Sequence, residues 1–197
     1  MPHRQLGLTL VEQMVVVTLI GVLAALAVPN LNAFVVNNRL HGSAKDFLTV
    51  LNMARGEAVL RGAPVVLRRT GPTAQNWSGG WELFVDVDGD GQRDTAPDSP
   101  ELLLRSGLAM SPPLTLYGSS AAADGIRFLP NGRASALGSG NALFMLCYDG
   151  QPVANGQSRA RAILVSDSGR IRMAAANDSG YPVNDLAVAI TSCTNPA

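Results

Sequence analysis

Lysine is nearly missing from this sequence: Lys45 is the single one, so positive charge rests on arginine. Cysteine occurs only as Cys147 and Cys193, with no Cys-x-x-Cys spacing and no histidine near either, which excludes the usual zinc and dithiol redox motifs. His3 and His41 are the only histidines. Neither has a serine or cysteine partner supported by its sequence context, so no catalytic constellation emerges and the chain does not read as an enzyme. Aromatic residues make up 5% of the chain and the formal charges cancel. Overall charge therefore points to no polyanionic partner, and any such signal must be local. No internal repeat and no low-complexity tract is visible. The 197 residues leave room for one domain with a core plus one long element, but hardly for two independent domains.

What is plentiful is apolar sequence near the start. From Leu8 to Val28 run 21 residues whose only charge is Glu12, about the length that crosses a hydrocarbon core of roughly 30 Å. Only His3 and Arg4 precede it as positive groups, which puts the short leader in the cytoplasm and everything after the helix outside. A secretory signal, a plain membrane anchor and a specialised leader compete here. Ala25-Leu26-Ala27 resembles a small-residue signal cleavage site. Glu12 argues against that reading, because a carboxylate within a membrane segment costs at least about 2.5 kcal/mol and is seldom kept without a partner or a function.

The order of residues in LGLTLVEQMVVVTLIGVLAALAVPN, positions 6–30, resembles the type IV prepilin signature: a short basic leader ending in Gly7, then Leu8 through Glu12, then a long apolar run. The resemblance implies cleavage by a prepilin peptidase after Gly7 and N-methylation of the new terminus at Leu8. A glycine before the cut lets a protease approach the extended backbone closely. It also implies that Glu12 pairs with the terminal amine of a neighbouring subunit during assembly, which offsets the burial of both charges. Leu8 stands where phenylalanine is commoner in the family.

Pro29 lacks an amide hydrogen and is expected to bend or open the helix. Beyond it Leu40, Ala44, Phe47, Leu48, Leu51, Ala54 and Ala58 recur at helical spacing, which predicts an amphipathic second half that packs on a sheet and stops near Gly62-Ala63-Pro64. From Pro64 on, short β-type runs alternate with Gly, Pro, Asn and Asp: 65–69, 81–87, 101–105, 114–117, 126–129, 142–148, 160–166, 169–174 and 186–193. Such a pattern predicts an antiparallel β-domain. The expected organisation is a leader at 1–7, a transmembrane half-helix at 8–30, an amphipathic half at 31–62 and a periplasmic β-domain at 63–197.

Three pieces of that domain are similar to the GspH/FimT family of minor pilins and pseudopilins: Gly80 to Asp86 (GWELFVD), Ile126 to Arg133 (IRFLPNGR), and Ile163 to Ser166 through Ser168 to Arg172 (SGRIR). The resemblance implies an α+β type IV pilin fold, with the long N-terminal helix packed on an antiparallel β-domain. It implies a single-pass inner-membrane protein that enters a pilus or pseudopilus. Its role would be a FimT/FimU-like minor pilin in the initiating or tip complex, with prepilin peptidase, other minor pilins and the major pilin as partners. The alternatives are the minor pseudopilin H of a type II secretion system, for protein secretion, and a tip receptor for DNA uptake in natural transformation.

Three local features are candidate sites. Asp86, Asp88, Asp90 and Asp94 alternate around Gly91 as in the first half of a calcium loop. Pro97 stands where the bidentate glutamate is expected, however, and a hydrated hairpin loop explains the same residues. Arg170 and Arg172 alternate along a strand, where Arg159 and Arg161 on the preceding strand could join them on one face. In the family a GRxR motif of this form is implicated in DNA binding; exposed arginines that protect a strand edge are the other reading. Cys147 and Cys193, on the oxidising side by this topology, are expected to form a disulfide, with buried free thiols as the alternative. No cofactor other than calcium is suggested.

Overall fold

The computed structural model describes residues 9–98, 100–138 and 140–196, and for 25–30 the backbone only. Among these residues there is one helix, α1 (Leu10–Arg61), followed by eleven strands. Two compact units divide the chain, 1–38 and 39–197.

In the first unit α1 stays helical through Pro29. Leu10, Val11, Met14, Val15, Val16, Val17, Leu19, Ile20, Val22 and Leu23 are all exposed. Four of them are consecutive, so the apolar surface goes all the way round the helix. A helix of that kind is stable only when something else covers it.

The second unit begins with the amphipathic stretch. Leu40, Ala44, Leu51, Ala54 and Ala58 are fully buried and Phe47 nearly so, which is the expected stripe at steps of three and four, except that Leu48 is only half-buried and Val50 is buried as well. The helix gives way after Arg61 to β1 (Val65–Arg69). β1 pairs on one side with β2 (Trp81–Val85) and on the other with β5 (Gly125–Phe128). With β3 (Leu103–Gly107) beyond β2 and β6 (Ala134–Ala136) beyond β5, these form a five-stranded antiparallel sheet in the order β3-β2-β1-β5-β6. A second sheet runs β11-β10-β7-β4, from β4 (Leu114–Gly118), β7 (Ala142–Tyr148), β10 (Ala160–Val165) and β11 (Ile171–Met173). A small hairpin, β8 (Val153–Ala154) with β9 (Gln157–Ser158), completes the set.

Phe47 of the helix, Phe144 of β7 and Trp77 of the β1–β2 connection meet edge to face, with ring centroids 5.0 to 5.9 Å apart. The Trp77 indole donates to the Ala122 carbonyl at 3.0 Å, so its polar atom is satisfied in the core. The other face of the second sheet has its own cluster. Leu143, Met145, Ala160, Ala162 and Leu164 pack there with Ile190 of the C-terminal segment. The disulfide Cys147–Cys193 fastens that segment to β7.

The strand expected at 186–193 is absent. Positions 175–196 instead form a strap of turns with two isolated bridges, Ala176 with Pro182 and Val183 with Ala189. Its apolar residues gave a β-like pattern, but its backbone bonds close local loops.

Candidate functional site

At the start of α1, Thr9 acts as the cap: its hydroxyl accepts from the Glu12 amide at 3.3 Å, and its carbonyl from the Gln13 amide. Thr9 and Glu12 thus have the spacing of a capping box, and Glu12 is exposed in the first turn, where a carboxylate favours the helix dipole. Gly7 and Leu8 lie outside the described residues. Among the described residues, no helix is long and apolar enough to cross a membrane. The expected span at 8–30 includes Leu8 and the side chains of 25–30, which lie outside that description.

The aspartate loop after β2 is organised by arginines. Asp86 is completely buried. Its Oδ2 accepts from Arg127 Nε at 2.7 Å, and its Oδ1 from the amides of Gly89 and Gly91 at 3.1 and 3.3 Å. Arg127 Nη2 also donates to the Gly89 carbonyl at 2.6 Å, and Arg68 Nη1 to the Gly91 carbonyl at 2.6 Å. Asp88 and Asp90 each accept from an amide two residues on. Glu101 ties down the far end, accepting from the amides of Val87 and Asp94.

One oxygen from each of Asp86, Asp88 and Asp90 does come within 4.8 Å of the others, while Asp94 is not in that group. The residues nevertheless fit calcium poorly. The buried carboxylate already accepts from three donors, and the guanidinium beside it would repel a cation. The loop is a hairpin loop closed by guanidinium groups from β1 and β5, a role the sequence reading did not give to Arg68 or Arg127.

The expected four-arginine face does not form. In the β10–β11 register Leu164 stands opposite Arg172, so Arg172 shares the face of Leu164, Ala162 and Ala160. Arg161 stands opposite Leu146, one residue out of phase, on the face where Phe144 meets the helix. Arg159 precedes β10 with its guanidinium 5.8 Å from the Tyr148 ring centre. Alternation puts odd and even positions of β10 on opposite faces, and the error lay in the phase between strands. Arg161 is half-buried and donates to the Ala160 carbonyl and the Ser158 hydroxyl; burial pushes its guanidinium below its ordinary pKa.

Arg170 and Arg172 do come together. With Leu164, Ser166, Ser168 and Asp185 they line a cavity of about 200 Å³. Arg172 forms an ion pair with Asp185 of the strap, and the hydroxyls of Ser166 and Ser168 lie 2.9 Å apart. The turn before Arg170 is fixed by Gly169, at φ +78°, where an added Cβ would fall 1.9 Å from the Gly132 carbonyl oxygen. That same carbonyl accepts from Arg55 Nε of the helix at 2.9 Å. The glycine of the Gly-Arg-Ile-Arg stretch is therefore a packing requirement.

The strap holds a short repeat that the sequence reading did not find. Asn177-Asp178-Ser179-Gly180-Tyr181 and Asn184-Asp185-Leu186-Ala187-Val188 make the same turn. In each, the asparagine Oδ1 accepts from the amides two and four residues on, at 2.9 to 3.1 Å. The asparagine amide donates to the carbonyl of the fifth residue, and its carbonyl accepts from the fourth amide. The fourth residue has positive φ in both, +82° at Gly180 and +59° at Ala187.

The sequence profile described as "Type II transport protein GspH" matches residues 43–169, and that described as "Prokaryotic N-terminal methylation motif" matches residues 2–28. Two crystal forms of the type IV minor pilin FimU of Pseudomonas aeruginosa are similar in fold. The first has a TM-score of 0.55 and 22% identity, covering 80% of this chain and 96% of that one. The second has a TM-score of 0.53 and 21% identity, covering 78% and 99%. The minor pseudopilin EpsH of the Vibrio cholerae type 2 secretion system gives 0.44 and 14%, covering 69% and 96%. No curated protein matches the sequence.

Proposed function

Since the chain belongs to the GspH family, we propose that it is a minor pilin of a type IV pilus. In this reading prepilin peptidase cuts after Gly7 and Leu8 is N-methylated. The helix then holds the subunit in the inner membrane with the domain in the periplasm, until it enters a filament with other minor pilins and the major pilin. One observation carries the reading: within the stretch matched by the N-terminal methylation motif, α1 is exposed from Leu10 to Leu23 with apolar side chains all round it. Lipid before assembly and neighbouring helices after it are the covers such a surface needs. Glu12 lies at the same end, so pairing with the amine of a neighbour's terminus offsets its cost in that surrounding.

A pilus is favoured over the secretion pseudopilus by the fold likeness to a type IV minor pilin, FimU, and in this reading the subunit takes a place in the initiating or tip complex. The test expresses the full chain with its peptidase and co-encoded pilins. Gly7→Ala should leave the leader attached, and the wild-type chain should co-purify with the minor pilins of a pilus locus. A normal mature terminus in the variant, or co-purification with secretion components alone, would refute the respective half.

DNA capture is a second reading, supported by the cavity that Arg170 and Arg172 share with two serines. Retention of short duplex DNA by the full chain in detergent should fall on Arg170→Ala and Arg172→Ala. Unchanged retention would remove these arginines from the reading.

A further inference from the structure

We propose that Asp185 is a built-in occupant of the Arg170/Arg172 pocket, and that a nucleic-acid phosphate takes its place on Arg172 when DNA binds. The proposal rests on the DNA reading above and adds to it an internal competitor that sets the affinity.

The pocket has the chemistry of an anion site. Two guanidinium groups and two hydroxyls converge on about 200 Å³, and the one anionic side chain among its lining residues is Asp185. A carboxylate on a guanidinium occupies the position a phosphate oxygen would take. Arg170 is exposed and takes part in no ion pair among the described residues, so the pocket in this state offers one committed cation and one uncommitted one.

Asp185 is not needed to hold its own turn. Residues 184–188 are closed by Asn184, through its side-chain oxygen and its backbone. The sister turn 177–181 shows the same bonds with Asp178 exposed and in no ion pair among the described residues. The carboxylate can therefore leave Arg172 without the turn unravelling. The pair it makes is displaceable, with side chains 31% and 48% exposed at Arg172 and Asp185, in the range where water and salt screen an ion pair strongly.

The twin turns supply the control. Asp185→Asn and Asp178→Asn remove the same charge from the same kind of turn, but only the first frees Arg172. Full-chain protein in detergent would be titrated with short mixed-sequence duplex DNA at several salt concentrations, and in parallel with poly-glutamate. Asp185→Asn should bind duplex DNA about two- to five-fold more tightly than wild type, the range set by releasing an exposed ion pair. Its log–log salt slope should stay at the wild-type value, because Arg172 meets a phosphate in both complexes, and Arg172→Ala should reduce that slope by about 0.9, the value of one phosphate contact. Asp178→Asn should shift affinity less than two-fold, and Arg172→Ala should abolish the gain from Asp185→Asn.

Equal affinities for the two Asn variants, with binding still weakened by Arg172→Ala, would overturn the occupant role and leave the DNA reading intact. Loss of DNA binding in every protein, Asp185→Asn included, would overturn both. A gain confined to poly-glutamate would overturn the nucleic-acid assignment in favour of an acidic protein partner.

Discussion

Replacing Ala187 by glycine should stabilise the protein, against the usual direction for such a change. Ala187 has φ +59°, in the left-handed region where a side chain with Cβ costs about 1–2 kcal/mol. Glycine removes that cost but adds freedom to the unfolded chain, worth about 0.4–1 kcal/mol against folding. The difference runs from about 0 to 1.6 kcal/mol, with a midpoint of about 0.8 kcal/mol in favour of glycine. At about 2–4 °C per kcal/mol for a chain of this size, the melting temperature should rise by about 1–4 °C. The sister turn supplies the reciprocal experiment. Gly180 already occupies the equivalent place at φ +82°, and a Cβ there would lie 3.3 Å from the Ser158 amide nitrogen, so Gly180→Ala should cost about 1–2 kcal/mol. Thermal unfolding of the oxidised full chain in detergent, followed by circular dichroism, reads both variants. A melting temperature at or below wild type for Ala187→Gly would mean that the two turns do not share one backbone conformation.

Gly169→Ala should be among the most damaging single-methyl additions, costing about 3 kcal/mol or more, because the new carbon would meet the Gly132 carbonyl oxygen at a positive φ; urea midpoints measure it. Arg127→Ala strands the fully buried Asp86 carboxylate and should cost about 3–5 kcal/mol. Millimolar calcium should leave the wild-type melting temperature within about 1 °C, since a ligand stabilises only by binding the folded state, and a clear upward shift would restore the calcium reading of Asp86, Asp88 and Asp90. Cys147→Ala with Cys193→Ala opens a loop of 46 residues in sequence separation; chain entropy sets the loss at about 4 kcal/mol, read by denaturant unfolding against the oxidised wild type.

The long helix, its buried stripe and most strands were legible because periodicity reports directly on burial. Leu40, Ala44, Phe47, Leu51, Ala54 and Ala58 mark a face by spacing alone. Strand ends shifted by a residue or two, as at 101–105, which the structure sets at Leu103–Gly107. The misplaced arginine face depends on which residues stand opposite one another. The sidedness of Arg161 and Arg172 follows from the β10–β11 register, and no local pattern encodes that. The Asp86 loop looked like half of a cation site because its own residues do resemble one. The groups that fill it, Arg68 and Arg127, come from other strands. The 186–193 run carried strand-like composition, yet Asn184 bonds its own neighbours and turns the chain instead. The paired Asn-Asp turns were short enough, and different enough in Ser179-Gly180 against Leu186-Ala187, to escape notice as a repeat.

The meeting of Arg55, Gly132 and Gly169 bears on how the subunit would respond to tension. Arg55 of the helix donates to Gly132 O, Gly169 lies too close to that oxygen to admit a methyl group, and the Ala134 amide donates to the Asp167 carbonyl beside it. Helix, first sheet and second sheet are thus stitched at one spot. A pull delivered along the helix reaches both sheets there together. The two sheets should therefore yield together under tension, in one rip.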